Sequence, residues 1–127
     1  MAVDSIRLTV PATSAAVRIT RAGAAGLATR AGFTYREVEQ VRLAVGEAAA
    51  LLAPDAEGEG TLEVTYVMAP GELRIELVLV GRPPLSTVPD MAAAVLASSV
   101  DEWHVTGGGR GLMLAKRVSD VDDSDDD

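Results

Sequence analysis

Phe33-Thr34-Tyr35-Arg36-Glu37-Val38-Glu39-Gln40-Val41-Arg42-Leu43-Ala44-Val45-Gly46-Glu47-Ala48 is the stretch on which the fold turns. It opens with a helix-start signal. Thr34 can accept from the backbone three residues on, Glu37 can reach back to the Thr34 amide, and Phe33 stands where a hydrophobic staple belongs. Val38, Val41, Val45, Ala48 and Leu52 then recur at helical spacing, and the helix stops before Pro54. Leu43, Glu47 and Leu51 form a second row beside that stripe. Glu47 therefore falls on the border between the core and whatever the helix faces.

Upstream, Ile6, Leu8 and Val10 alternate with Arg7 and Thr9, the period-two pattern of a half-buried strand, and Pro11 ends it. Thr13 or Ser14 can cap a helix that runs to about Ala31, with Gly32 placed to close it. This helix is rich in alanine and carries Gly23 and Gly26, small residues that let another element come close. Arg18 and Arg21 lie one turn apart and share a face.

Downstream, a polar loop from Asp55 to Gly60 leads to Leu62, Val64, Tyr66 and Met68, again alternating. Ala69-Pro70-Gly71-Glu72 is a turn, and Leu73, Ile75, Leu77 and Leu79 form the returning strand. Gly81-Arg82-Pro83-Pro84 breaks it. Ser86 or Thr87 can cap a third helix with Met91, Ala94, Val95 and Ser98 on one side. Glu102 to Thr106 and Leu112 to Val118 read as two strands around Gly107-Gly108-Gly109-Arg110-Gly111. The order is strand, helix, helix, hairpin, helix, hairpin. It predicts an α+β two-layer sandwich, an antiparallel-rich mixed sheet with three helices on one face.

A chain of 127 residues, 48% of them hydrophobic, suffices for one domain with a core and not for two. There is no cysteine, which excludes disulfides and thiolate metal sites. No apolar run has the length of a membrane span, and the N-terminus lacks the pattern of a signal peptide, so the expected location is the cytoplasm. The formal charge is −8, but Asp120, Asp122, Asp123, Asp125, Asp126 and Asp127 supply six of the negatives. Residues 1–118 are thus predicted as a nearly neutral domain and residues 119–127 as a disordered acidic tail. Direct nucleic-acid binding needs a basic surface that this composition does not provide.

The segment Gln40-Val41-Arg42-Leu43-Ala44-Val45-Gly46-Glu47-Ala48 resembles the N-box helix of the RsbW and SpoIIAB class of anti-sigma factors, serine kinases of the GHKL ATPase superfamily. Val95-Leu96-Ala97-Ser98-Ser99-Val100-Asp101-Glu102 resembles the end of that family's last helix, where an aspartate precedes a strand. The resemblance spans Ile6 to Val118. It implies a histidine-kinase-like ATPase fold, ATP with magnesium as cofactors, and a sigma factor and an anti-anti-sigma (STAS) protein as partners. It also implies a dimer through the first strand and helix, as a homodimer or as a heterodimer with a paralogue. Glu47 matches the glutamate that acts as general base toward the partner's serine. Arg21, with Arg18 on the same face, stands where some members place an arginine that contacts the sigma factor.

The chain departs from the family where the nucleotide is held. The asparagine that ligates magnesium is Leu51 here, and an isobutyl group has no lone pair for a hard cation. The Asp-x-Gly-x-Gly motif that reads adenine is replaced by Val78-Leu79-Val80-Gly81-Arg82-Pro83-Pro84, with no acid. The glycine run from Gly107 to Gly111 has two readings. It is either a phosphate-binding loop opening a helix from Leu112 to Val118, or the turn of a last hairpin. Counting elements favours the turn, which leaves a lid trimmed to Arg82 through Asp90, with three prolines and no glycine. The departures point to a pseudokinase with Glu47 as a vestigial base or a plain helix-surface acid, no cofactor and no metal. ATP and magnesium enter only if another residue supplies the missing ligand. Trp103 reads as core or edge packing. His104 has no companion for a metal site or a Ser-His-Asp arrangement.

Overall fold

The computed structural model describes residues 4–119. The elements are β1 (Asp4–Pro11), α1 (Ser14–Arg30), α2 (Tyr35–Leu52), β2 (Thr61–Ala69), β3 (Glu72–Val80), α3 (Asp90–Ser99), β4 (Glu102–Thr106) and β5 (Gly111–Arg117). The sheet order is β1-β2-β3-β5-β4 and every neighbouring pair is antiparallel. The chain is α+β with the helices on one face of the sheet, as read from the sequence. The sheet is not mixed, however. The single-helix crossover from β3 to β4 brings β4 back in the same direction as β3. β5 then inserts between them and runs against both, so no parallel pair forms among the described residues.

Alternation decides which face is buried, because successive strand residues point to opposite sides. Leu8, Val64, Leu77, Leu112 and Val105 align across all five strands, as do Ile6, Tyr66, Ile75, Leu114 and Trp103. Val64, Tyr66, Ile75, Leu77, Leu112 and Leu114 are buried beneath the helices with Val41, Val45, Ala48 and Leu52 of α2. Each large apolar side chain removed from water there contributes about 1.5–3 kcal/mol. The opposite face carries Arg7, Thr65, Glu76, Met113 and His104 in one cross-strand row, of which only Met113 is buried.

The helix ends show where local signals decide and where distant ones do. At α2 the capping box forms in full. The Glu37 amide donates to Thr34 Oγ1 at 3.2 Å, the Thr34 amide donates to Glu37 Oε1 at 2.8 Å, and Phe33 is buried. At α1 the N-cap residue is Thr13, but its side chain makes no capping bond. The Ser14 amide donates instead to the backbone oxygen of Asp55, at 2.8 Å. α1 ends at Arg30, with Gly32 at φ +96° turning the chain.

At α3 the structure corrects the expected helix start. The helix starts at Asp90 with Pro89 at the cap, and Ser86 and Thr87 lie upstream of it. Pro89 pushes Val88 away from helical angles, so no earlier start is open. The buried face is Ala92, Leu96 and Ser99, while Met91 is 80% exposed. Leu96 is fully buried and Ala92 and Ser99 flank it on the side that meets α2. Beyond β5, the Val118 amide donates to Gly71 O at 2.7 Å and the Ser119 amide to Glu37 Oε2 at 3.2 Å. The acidic run Asp120 to Asp127 lies outside the described residues.

Candidate functional site

α2 presents Glu47 half-buried and, one turn on, Leu51 half-buried against the core. Among the described residues Glu47 makes no ion pair and no side-chain hydrogen bond. Leu85 and Val88, from the segment between β3 and α3, pack against the same core as Leu51. This part of α2 thus presents an isobutyl group one turn after Glu47, and the segment from Gly81 to Pro89 after β3 contains an arginine and no carboxylate.

The glycine run is the turn of the β4–β5 hairpin. Gly107–Gly109 form one turn of 3-10 helix, with φ of +58°, +66° and +99°, and Gly111 already belongs to β5. The alternative of a helix from Leu112 to Val118 is therefore wrong: that stretch is strand as far as Arg117. Its inner residues, Leu112 and Leu114, answer Leu77 and Ile75 across the sheet. The turn instead seats the segment that follows β3. The Leu85 amide donates to Gly109 O at 2.8 Å, the Leu79 amide donates to Arg110 O at 2.7 Å, and Arg110 Nη1 donates to Arg82 O at 3.4 Å. A Cβ on Gly109 would run into the Leu85 carbonyl.

Arg82, in the segment that follows β3, crosses to the loop between α2 and β2. Its Nη2 lies 3.0 Å from Asp55 Oδ2, and the side chain is 22% exposed. Nη1 is buried with no hydrogen-bond partner, and a Cβ on Gly58 would stand 2.5 Å from it. A cleft of about 500 Å³ opens beside this pair, lined by Glu57, Gly58, Glu59, Gly81, Arg82 and Pro83. The sequence reading had not paired Arg82 with Asp55. The available signal was one charge of each sign in two loops that leave the same end of the β2–β3 hairpin.

Arg18 and Arg21 are both exposed on α1, with Ile19, 52% exposed, between them in sequence. Neither arginine is in an ion pair among the described residues. The Arg21 stem lies across Gly46, so Arg21 sits beside the residue that precedes Glu47. Gly23 accommodates the ring and hydroxyl of Tyr66, a side chain and not a second backbone, whereas Gly26 borders open space. Tyr66 Oη donates to Thr20 O at 2.9 Å, and burial pushes its phenol up to about 12.

Trp103 is half-buried and packs on the core. His104 is exposed, 3.6 Å from Glu102, which also pairs with Arg117 at 3.2 Å on the open sheet face. Among the described residues no three carboxylate, histidine or cysteine side chains converge as metal ligands would, and no helix is long and apolar enough to cross a membrane.

The two-layer fold and the helix bearing Glu47 define a class: this chain belongs to the histidine kinase-like ATPase domain family, whose pattern it matches over residues 10–126. Within that class it is homologous to RsbW serine-protein kinases. It is 33% identical over 119 residues to the serine-protein kinase RsbW of Bacillus cereus strain ATCC 10987, covering 92% of this chain and 74% of that protein. The RsbW of Bacillus mycoides strain KBAB4 is 27% identical over the same length and coverage. The fold is shared with the crystal structure of the RsbU and RsbW domains of Rv1364c from Mycobacterium tuberculosis, at a TM-score of 0.69 and 19% identity. That match covers 90% of this chain and 32% of the solved one.

Proposed function

We propose that this chain is an anti-sigma-factor-like regulator of transcription that works by protein–protein binding in the cytoplasm, without ATP binding or kinase activity. The observation that carries the reading is Leu51. Phosphoryl transfer rests on positioning and on neutralising phosphate charge, and magnesium needs oxygen ligands to do either. A leucine packed on the core offers none. Arg82 supports the same reading. A guanidinium has five donors and no acceptor, so it cannot take the place of a carboxylate that accepts from the adenine amino group. With no γ-phosphate in place, Glu47 has no reaction to assist.

The partner, a sigma factor or an anti-anti-sigma protein of the STAS type, docks on α1. Arg18 and Arg21 there offer planar forks to partner carboxylates, and Ile19 adds exposed apolar surface. β1 and α1 also serve self-association or pairing with a paralogue, since β1 is the edge strand of the sheet.

One observation favours a second reading, an ATP-dependent serine kinase acting on a STAS partner. Glu47 remains partly exposed and unpaired on α2, and the relatives named above are serine-protein kinases. Calorimetric titration with ATP and magnesium, beside an active kinase of the family, separates the two. No heat at millimolar ATP is the expected outcome. Micromolar binding would establish the kinase reading in its place.

A further inference from the structure

α1 begins without a side-chain cap, and the Ala16 amide is taken by the backbone oxygen of Thr13 at 2.9 Å. Thr13 makes no capping bond and the first turn holds no acidic residue. The free amides of a first turn need acceptors, and a side-chain cap is the common answer. Here the acceptor for the Ser14 amide is the backbone oxygen of Asp55, from the loop between α2 and β2, at 2.8 Å. The same loop accepts the Ala12 amide at Gly60 O, at 3.1 Å. The order of the first turn of α1 therefore depends on the order of a loop that lies more than forty positions away in the chain.

That loop is itself held from outside. The Asp55 carboxylate takes the Arg82 Nη2 at 3.0 Å, and the guanidinium lies against Gly58. Arg82 belongs to the segment between β3 and α3, which is fastened at its other side to the β4–β5 turn through Leu85 and Gly109. One continuous relay follows: glycine turn, segment 81–89, Arg82, Asp55, Ser14. The bridge in its middle is its weak link. Asp55 is 56% exposed at its side chain, and Nη1 of Arg82 is desolvated without an acceptor. A pair of that kind is sensitive to salt and holds only modestly.

We propose that the Arg82–Asp55 bridge is a latch through which the segment 81–89 governs the order of the first turns of α1. Closed, it supplies α1 with its cap and holds the helix start rigid. Open, it frees both the segment and the helix start, and anything that grips residues 81–89 is thereby felt at α1. The latch stands on its own geometry. Its consequence for partner affinity rests on the partner reading of Arg18 and Arg21, and the test is therefore chosen to need no partner.

The test is amide hydrogen exchange, followed by mass spectrometry, on the full chain and on Arg82→Ala. Exchange in peptides covering residues 12–18 and 81–89 is expected to quicken about tenfold together, with the β2–β3 hairpin unchanged. Asp55→Asn, which keeps an acceptor oxygen but loses the charge, is expected to give a smaller rise in the same two regions. Raising salt to about 1 M on the unaltered chain screens the pair and is expected to quicken both regions there, with no further effect in Arg82→Ala. That measurement needs no variant that might fold poorly. Quickening confined to residues 81–89, or an α1 start whose exchange ignores both salt and Arg82, overturns the latch. A silent ATP titration or a failed partner assay leaves it standing, so the two readings fail separately.

Discussion

Arg21 of α1 lies across Gly46 of α2: a Cβ built on Gly46 would stand 2.9 Å from Arg21 Cδ and 3.4 Å from Cγ and Nε. The contact joins an arginine of the proposed partner face to the helix that carries Glu47. The obstructing atoms belong to a flexible, exposed side chain, which can swing aside at little cost. Gly46→Ala is therefore expected to stabilise the fold by about 0.5–1 kcal/mol, because alanine is the better residue inside a helix. The same change re-aims Arg21. Urea denaturation should show the gain, and partner affinity should fall despite it, most plainly for a sigma factor. A variant that is more stable and binds equally well removes Arg21 from the interface.

Tyr66 gives a prediction in pH. Its hydroxyl is buried against α1, and its pKa is pushed from 10.0 to about 12 by burial. Below pH 10 the phenol is neutral in both folded and unfolded chains and its burial is undisturbed. Between 10 and 12 the unfolded chain ionises while the folded chain resists. Stability therefore falls as pH rises through that window, by about 1.4 kcal/mol per unit. Tyr66→Phe should lose roughly 1 kcal/mol at pH 7 with the hydrogen bond to Thr20. It should also decline less steeply than the parent between pH 10 and 12. Equal slopes in a denaturation series across that range would refute the assignment.

Leu51→Asn tests the proposal that Leu51 stands where the family resemblance implies a magnesium-binding asparagine. It places a polar amide where a half-buried isobutyl group packs on the core, and it should cost about 1–2 kcal/mol. The expected calorimetric result with ATP and magnesium is still silence. The stretch after β3 continues to offer an arginine and no carboxylate. Recovery of ATP binding by this one change would mean that the rest of the nucleotide site is intact.

Thr34→Ala removes the hydroxyl that accepts the Glu37 amide, one of the two reciprocal capping bonds at the start of α2, while the backbone amide at position 34 can still donate to Glu37. The expected loss is about 1 kcal/mol by thermal or urea denaturation. Glu37 also receives the Ser119 amide, so the chain that follows β5 should loosen with it, seen as faster exchange at Ser119.

What the sequence disclosed followed the reach of each determinant. The capping box, the β2–β3 hairpin and the glycine turn depend on residues within a few positions of one another, and all three read correctly. The cap of α1 did not: the Thr13 side chain makes no capping bond, and the Ser14 amide is taken by the carbonyl of Asp55, a partner no local pattern announces. The start of α3 did not either: Ser86 and Thr87 are local capping candidates, but the helix begins at Asp90, after Pro89. The all-antiparallel sheet hid for the same reason: β5 comes last in the chain and is placed inside the sheet. At the candidate site, Glu47 and Leu51 were legible from helical spacing. Arg82 with Asp55 was not, because their meeting requires two loops to be folded already.

The sheet order also bears on how the chain is made. β1 pairs with β2 alone, whose first residue is Thr61, and the opening amide of α1 waits for Asp55. Until β2 and the loop before it have been synthesised, β1 lacks the strand it pairs with and the Ser14 amide lacks its acceptor. The β2–β3 hairpin, closed by two residues, has no such delay. β1 and the start of α1 thus settle only once the α2–β2 loop and β2 are available, and until then their apolar face is open to chaperones and to other nascent chains.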